Sequence, residues 1–553
     1  MSGTLKHYAA FVAGVMFILM LLPFGEELSG ITREITSEGV YNFDEEAESN
    51  PFQLLKNDDQ VELNPAQEQA VFSAGLRGAN TTWANAGGSE DNDAIYEMAY
   101  DSQGNIIICG SIFVDSQFGT ILVQTEGLGD ILVASLSPNG TWQWVVSAGT
   151  ATAWDECRGI AMDKDDNVYA SGYILGEVNF GPNYTLVPNV YDGYVARVNT
   201  TTGQWDWAMS YGGFDIDVGW DLLIDVDYNI YVTGYYQNNT DFGIHSLGSQ
   251  QPSEDPRFFI AKYNWSLAEW DWAKSSSGSG LSSSFQMAFD QNGDIYVVGY
   301  NSGSETWNNT FTSNHASTYA GIIVKYDRDG NFKWGRSYGG TSAFGVYTGI
   351  YFNNIVIDSQ NRVVVGGNIL ENGNVGSKTY YTVGGWDVLV LRLLSDGTLD
   401  WSAVAGGPSD DRLQALAVMP DDEIVVGGRM INWIEMGNSI NISGNSIEHS
   451  DAFVGQLDTS GNWLWGNTFG GSASDSTEAL LTTSDGFHIS AGYFSGTYTF
   501  GTAQHYATDE DIFVWKYEWD DDNDSVRDYL DNCRTVANTN QSNWDADGLG
   551  DAC

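Results

Sequence analysis

Apolar and polar residues alternate with a period of two from Trp83 to about Tyr517, in strand-length runs broken by Gly, Asn, Asp and Ser. Such alternation predicts half-buried strands joined by tight turns. The runs group into a repeating unit. Its first landmark is a Trp followed by a Gly-rich turn, as in Trp83-Ala-Asn-Ala-Gly-Gly, Trp207-Ala-Met-Ser-Tyr-Gly-Gly, Trp334-Gly-Arg-Ser-Tyr-Gly-Gly, Trp401-Ser-Ala-Val-Ala-Gly-Gly and Trp465-Gly-Asn-Thr-Phe-Gly-Gly, with looser copies at Trp144 and Trp272. Successive copies lie 61, 63, 65, 62, 67 and 64 residues apart. A second landmark is an apolar strand ending in Asp, a polar turn and a strand ending in Gly, for example Ile224-Asp225 to Gly234 and Phe289-Asp290 to Gly299. Phe-Gly recurs at Phe118, Phe180, Phe242 and Phe500, and an Asp-led apolar strand at Asp192, Asp451 and Asp511.

Each unit holds four such runs, enough for one twisted antiparallel sheet. A lone sheet of that size cannot bury both faces, so copies must stack. A radial stack leaves only short, protected edges. The pattern therefore predicts an all-β fold, a seven-bladed β-propeller of four-stranded antiparallel blades spanning 76–518. The last copy lacks a Trp strand of its own, and the strand around Thr82–Gly87 is expected to complete it and clasp the ring.

Composition agrees with a large sheet core, since 13% of residues are aromatic and 64 Gly stand against 10 Pro. Charge narrows the partners. With 73 acidic and 22 basic residues the formal net charge is −51, which repels phosphate backbones and anionic lipid and excludes nucleic acid as a reasonable ligand. At the N-terminus, Lys6 and His7 precede an apolar run from Tyr8 to Phe24 that Glu26 and Glu27 close. This has the form of a secretory signal and is short for a membrane span. Residues 1–25 are expected to be a signal peptide or an uncleaved anchor, the protein's only membrane contact, and 26–75 an acidic linker. Secretion or display at the cell surface follows, and sequons such as Asn80, Asn139, Asn199, Asn238, Asn308 and Asn441 suit that exterior.

The units resemble the β-propeller repeats of the SBBP family, whose copies carry a similar Trp-Gly-Gly, Asp-x-x-Gly-Asn-x-Tyr-Val-x-Gly and Asp-x-Phe-Val pattern. That resemblance covers most of the chain and implies a surface or secreted propeller without assigned chemistry.

Beyond Tyr517 the composition shifts to Asp, Asn and Cys. Oxygen donors at alternate positions in a short loop can wrap a hard cation, with carbonyls completing the shell. The stretches Asp531-Asn-Cys533 and Asp545-Ala-Asp-Gly-Leu-Gly-Asp-Ala-Cys553 resemble thrombospondin type 3 repeats, so 519–553 is expected to be a short, loop-rich calcium-binding tail. The resemblance implies Ca2+ held by Asp520, Asp522, Asp524 and Asp528 in one loop and by Asn543, Asp545, Asp547 and Asp551 in the other, with a Cys533–Cys553 disulfide. The chain departs from the pattern where Ser525 stands in place of Gly and where Arg534 and Thr539 stand in place of Pro. Cys109 and Cys157, in the first and second units, leave free thiols and an inter-blade bridge both open.

Other constellations carry less. The turns Asp163–Asn167, Asp225–Asn229 and Asp290–Asp294 look like the start of an EF-hand loop, but they lack its closing Glu and sit between strands, as hairpin turns do. Gly-x-x-x-Trp, at Gly140–Trp144, Gly203–Trp207, Gly330–Trp334, Gly397–Trp401 and Gly461–Trp465, is similar to the tryptophan-docking motif of quinoprotein dehydrogenases. That motif holds blades together, and no two Cys are adjacent here as in many of those enzymes. Turns such as Asp327–Trp334 resemble the Asp-box of sialidases, without an arginine triad to accompany it. His245, His315, His449, His488 and His505 show no ligand spacing. The expected function is extracellular or cell-surface binding or adhesion by a monomer, with a glycan, polymer or protein at one face of the propeller and a calcium-stabilised stalk. The insertions around Asn308–Tyr319 and Asn432–Ser450 are candidate specificity loops. The competing class is a secreted polysaccharide-active or quinone-dependent propeller enzyme; no catalytic residue is assigned.

Overall fold

The computed structural model describes residues 79–248, 255–340, 348–471, 473–500 and 503–520, and in the tail 527, 528, 530–534, 536 and 541. The expected signal or anchor and the acidic linker lie outside these residues. Among the described residues every regular element is a strand. Ala94–Tyr100, Ile106–Ile112, Asp130–Leu136 and Trp142–Ala148 pair antiparallel in that order. The same succession restarts at Glu156, Asp217, Leu281, Gly349, Arg412 and Ser476.

The first strand of each run lies innermost. These inner strands are Ala94–Tyr100, Glu156–Met162, Asp217–Ile224, Leu281–Phe289, Gly349–Ile357, Arg412–Val418 and Ser476–Thr482. Each touches the one before and the one after, and Ser476–Thr482 touches Ala94–Tyr100. The inner strands thus close around an axis, and the fold is a β-propeller. Ala79–Gly88 clasps the ring by pairing with Ala503–Trp519, from Ala79 opposite Trp519 to Gly87 opposite Ile512. The sheets are less regular than uniform four-stranded blades. Short hairpins, such as Ser116–Phe118 with Ile121–Val123, extend the ladder of the preceding unit. The runs that begin at Leu281 and Gly349 merge into one nine-stranded sheet through Tyr319–Gly349 and Gly339–Asn374.

The landmarks work across the junctions between units. Gly140, at φ +83°, seats Trp83 of the preceding unit so closely that a Cβ there would come within 2.6 Å of the indole. Gly203 stands in the same relation to Trp144, Gly330 to Trp272 and Gly461 to Trp401, with corresponding approaches of 2.8, 2.8 and 2.6 Å. At Trp207 the place of the Gly is taken by Ala268, and Trp265 packs edge-on against Trp207 at 5.1 Å. Phe118, Phe180 and Phe242 are fully buried and meet Trp142, Trp205 and Trp270 edge-on at 4.9, 5.1 and 4.9 Å, the geometry the ring quadrupole favours. The cores lie between neighbours: Val133 and Val146 of one unit pack with Ile160, Ala170 and Ala196 of the next. Cys109 and Cys157 are joined across the same junction, with Cα atoms 5.6 Å apart.

Five junctions also hold an aspartate pair: Asp93 with Asp511, Asp155 with Asp130, Asp217 with Asp192, Asp411 with Asp387 and Asp475 with Asp451. In each pair the first Asp stands at the start of an inner strand and the second lies on the third strand of the preceding unit, at its start for Asp130, Asp192 and Asp451 and within a longer strand for Asp387 and Asp511. Burial pushes Asp217, Asp411 and Asp475 up to about 8, and the partner carboxylate adds a smaller push in the same direction.

Candidate functional site

Every inner strand carries one β-bulge. The pairing with its neighbour slips between Ile95 and Glu97, Cys157 and Gly159, Gly219 and Asp221, Ser284 and Gln286, Phe352 and Asn354, Leu413 and Ala415, and Thr477 and Ala479. The residues left without a ladder partner are Tyr96, Arg158, Trp220, Phe285, Asn353, Gln414 and Glu478, and each is half-buried. A bulge re-aims a side chain out of the regular alternation, and here it does so once per unit at the axis. Their side chains form two runs of contacts. Arg158 lies over Tyr96 at 3.8 Å and over Trp220 at 4.9 Å, and Trp220 meets Phe285 at 5.6 Å. Asn353 donates to Gln414 at 3.3 Å, and Gln414 donates to Glu478 at 3.1 Å.

From Phe285 the aromatic contacts run on through Tyr300 on Ile295–Trp307, Tyr351 on the inner strand Gly349–Ile357 and Trp386 on Lys378–Leu393, and these side chains are taken together as the mouth. Phe285 stacks on Tyr300 at 5.6 Å, Tyr300 meets Tyr351 at 4.6 Å, and Tyr351 meets Trp386 at 5.0 Å. Arg412 closes the arc over Trp386 at 4.7 Å. An unbroken path of rings and guanidinium groups thus runs from Tyr96 to Arg412. Next to it, Arg429 donates to the Tyr493 hydroxyl at 3.4 Å.

The electrostatics of the mouth run against those of the chain. Arg158, Arg412 and Arg429 gather here out of 22 basic residues in all. Glu156 forms an ion pair with Arg158. Arg412 is less well compensated: it reaches only the exposed Asp410, at 3.5 Å, and its buried Nε has no hydrogen-bond partner. Burial, and then the charge of Arg429, hold Arg412 below the usual arginine range. On the far side burial lifts the Glu510 carboxyl to about 6, helped by Asp509 and Glu478. Flat apolar rings beside the under-compensated Arg412 guanidinium suit a ligand with apolar faces and carboxylates, which a guanidinium binds in bidentate fashion.

Sequence reasoning did not single out this ring. Its signal is a column of unlike residues three places after an Asp that opens an inner strand: Tyr96 after Asp93, Arg158 after Asp155, Trp220 after Asp217, Gln414 after Asp411 and Glu478 after Asp475. Of the candidate loops, Asn308–Tyr319 belongs to a long hairpin in which Ile295–Trp307 pairs with Phe311–Tyr326. Asn432–Ser450 contains the small ladder Trp433–Glu435 with Asn441–Ser443. The EF-hand-like turns spend their carboxylates on themselves: Asp163 Oδ1 accepts from the N–H groups of Asp165 and Asn167, and Asp225 and Asp290 repeat the arrangement.

Of the tail residues expected to ligate calcium, Asp520 and Asp528 are described and nearly fully buried, at 2% and 8% exposure. Asp522, Asp524, Asn543, Asp545, Asp547 and Asp551 lie outside the described residues. Among the described residues no group of three or more His, Cys, Asp or Glu converges as a metal site. Cys533 is disulfide-bonded and buried, and Cys553 lies outside the described residues. The tail is tied to the ring. Arg527 pairs with Glu518 at 3.0 Å, and Arg534 bridges Glu423 and Asp421 at 2.9 and 3.2 Å. Arg534 is one of the departures from the thrombospondin pattern, and its place in the structure is this anchor.

No protein-family model and no curated protein sequence matches the chain. Among solved structures it is similar to the Dos1 propeller, at 9% identity over 78% of this chain and 96% of that one, with a TM-score of 0.38. A protein of unknown function from Bacteroides caccae matches at 10% identity over 58% of this chain and 81% of its own, with a TM-score of 0.29. A xylan β-1,4-xylosidase from Bacillus halodurans C-125 matches at 9% identity over 80% of this chain and 96% of its own, with a TM-score of 0.27. With identities and TM-scores this low, the propeller rests on the strand pairings and the closed ring of inner strands.

Proposed function

We propose that the chain is a seven-bladed, exported binding propeller that grips an acidic glycan at the mouth of its axial channel. The observation that carries this reading is the continuous arc from Tyr96 through Arg158, Trp220, Phe285, Tyr300, Tyr351 and Trp386 to Arg412, in a protein that is otherwise strongly acidic. Aromatic faces accept the apolar faces of sugar rings, and Arg412 with Arg429 accepts uronate carboxylates. Ordinary surface electrostatics would repel such a polymer, so its binding has to be local to the mouth. The seven blades are the runs opening at Ala94, Glu156, Asp217, Leu281, Gly349, Arg412 and Ser476, the last completed by Ala79–Gly88.

The tail belongs to the proposal as a short calcium-stabilised stalk of thrombospondin type 3 kind. The spacing of the tail carboxylates supports it, since oxygen donors at alternate positions in a short loop can wrap a hard cation. An array of neutral and acidic glycans probed with the full chain, with Ca2+ supplied, tests the ligand. Selective capture of uronate-containing glycans is the expected result. Turnover of any polysaccharide would replace this reading with the polysaccharide-active enzyme, and indifference to every glycan would remove it.

A further inference from the structure

At two junctions both members of the aspartate pair keep a buried carboxylate oxygen with no close hydrogen-bond partner among the described residues. Asp155 Oδ1 accepts from the Leu175 N–H at 2.7 Å, and Asp130 Oδ2 accepts from the Glu126 N–H at 2.7 Å. Their other oxygens, Asp155 Oδ2 and Asp130 Oδ1, have no hydrogen-bond partner, although the two residues are 0% and 1% exposed. One junction on, Asp217 Oδ2 accepts from the Gly213 N–H at 2.7 Å and the Thr240 hydroxyl lies beside the same carboxyl, while Asp217 Oδ1 and Asp192 Oδ1 are unpartnered at 0% and 6% exposure. Ionising a buried carboxyl that has no partner is among the costliest demands on a fold.

The ring shows what the position accepts. Arg257 opens its third strand opposite Tyr236, as Asp192 opens its own opposite Ile174. There the chain supplies its own cation: Arg257 pairs at 3.1 Å with Glu305, a carboxylate that is 0% exposed and that accepts from the Gly280 N–H as Asp217 accepts from the Gly213 N–H. One carboxylate and one cation fill that junction. The two junctions above have two carboxylates and no cation.

We propose that a hard divalent cation of the Ca2+ class sits at each of these two blade junctions, one between Asp130 and Asp155 and one between Asp192, Asp217 and Thr240. The donors are all oxygen, as Ca2+ requires, with backbone carbonyls and water left to complete its shell. Each ion ties the third strand of one blade to the inner strand of the next and removes a buried like-charge repulsion. The sites are independent of the channel mouth and of the tail, so failure of the glycan or stalk reading leaves them standing.

The test counts Ca2+ bound to the full chain by equilibrium dialysis and elemental analysis, with melting measured in EGTA and in millimolar Ca2+. The variant pairs are Asp192→Asn with Asp217→Asn, and Asp130→Asn with Asp155→Asn. Each pair is expected to lower the bound Ca2+ by one ion per chain and to shrink the Ca2+-induced rise in Tm, while tail binding continues. Unchanged stoichiometry in both variants overturns the proposal. So does a wild-type Tm that ignores Ca2+ yet rises as pH falls from 8 to 5, which would mark a shared proton. If the variants do not fold, anomalous scattering from wild-type crystals grown with Ca2+ decides: a peak between Asp192 and Asp217 supports the site, and its absence contradicts it.

Discussion

The α-carbon of Gly140 lies against the indole of Trp83 across a blade junction, close enough that a methyl group there would reach within 2.6 Å of the ring. Gly140→Ala therefore adds both backbone strain, at φ +83°, and a clash. Gly437, at φ +81°, is the control, because a Cβ there would meet Trp463 at an ordinary 3.7 Å. Denaturant unfolding should show Gly140→Ala costing about 2–4 kcal/mol and Gly437→Ala roughly 1 kcal/mol. Equal costs would mean that the Trp seats contribute nothing to holding the blades together.

The clasp can be tested by deletion. Removing Ala79–Gly88 strips the strand that pairs with Ile512–Trp519 and uncovers Trp515, which is now fully buried. The expected outcome is a large drop in Tm and binding of a hydrophobic dye. A deletion variant that melts like the full chain would mean the ring closes without its N-terminal strand.

The Cys109–Cys157 bridge closes a loop with a sequence separation of 48. Chain-entropy reasoning assigns such a cross-link about 4 kcal/mol, with measured effects more often about 2–4. Cys109→Ala with Cys157→Ala should lower stability by that amount, and reductant should destabilise the wild type but not the double variant. An identical response to reductant in both proteins would show that the bridge carries no stability.

How much of this was legible in the sequence depends on the kind of residue. The Trp and Gly landmarks could be read because one physical task, seating an indole on a bare α-carbon, uses the same two residues at four junctions, from Trp83 with Gly140 to Trp401 with Gly461. Closure by the first Trp strand followed from the missing Trp strand of the last unit. The axial ring could not be read this way, since its positions run from Tyr96 to Arg158 to Glu478 and a register slip leaves no trace in the alternation. The aspartate pairs were hidden for another reason. Asp192 and Asp451 stood out as strand openers, but their partners Asp217 and Asp475 belong to the following unit, and only the ring brings them together. Cys109 and Cys157 needed a Cα separation that spacing along the chain does not contain.

His488 offers a pH test. It is 2% exposed, lies face to face with Tyr517 at a centroid distance of 5.2 Å, and burial holds it down to about 4. The unfolded chain takes up the proton near pH 6.5, so the stabilisation is present above that pH and is lost as pH falls from about 6.5 towards 4. The loss should approach about 3 kcal/mol and be reduced in His488→Gln. An unchanged acid limb in the variant would assign that pH dependence to other groups.

The central claim is that the arginines and rings of the channel mouth hold an acidic glycan, and calorimetric titration with a uronate oligosaccharide and its neutral counterpart tests it most directly. The wild type should bind the acidic sugar in preference to the neutral one. Arg412→Gln should weaken that binding about tenfold, or about 1.4 kcal/mol, with little effect on Tm. Trp386→Ala should weaken binding of both sugars. Equal affinity of wild type and Arg412→Gln for the uronate would contradict the assignment of the mouth as the binding site.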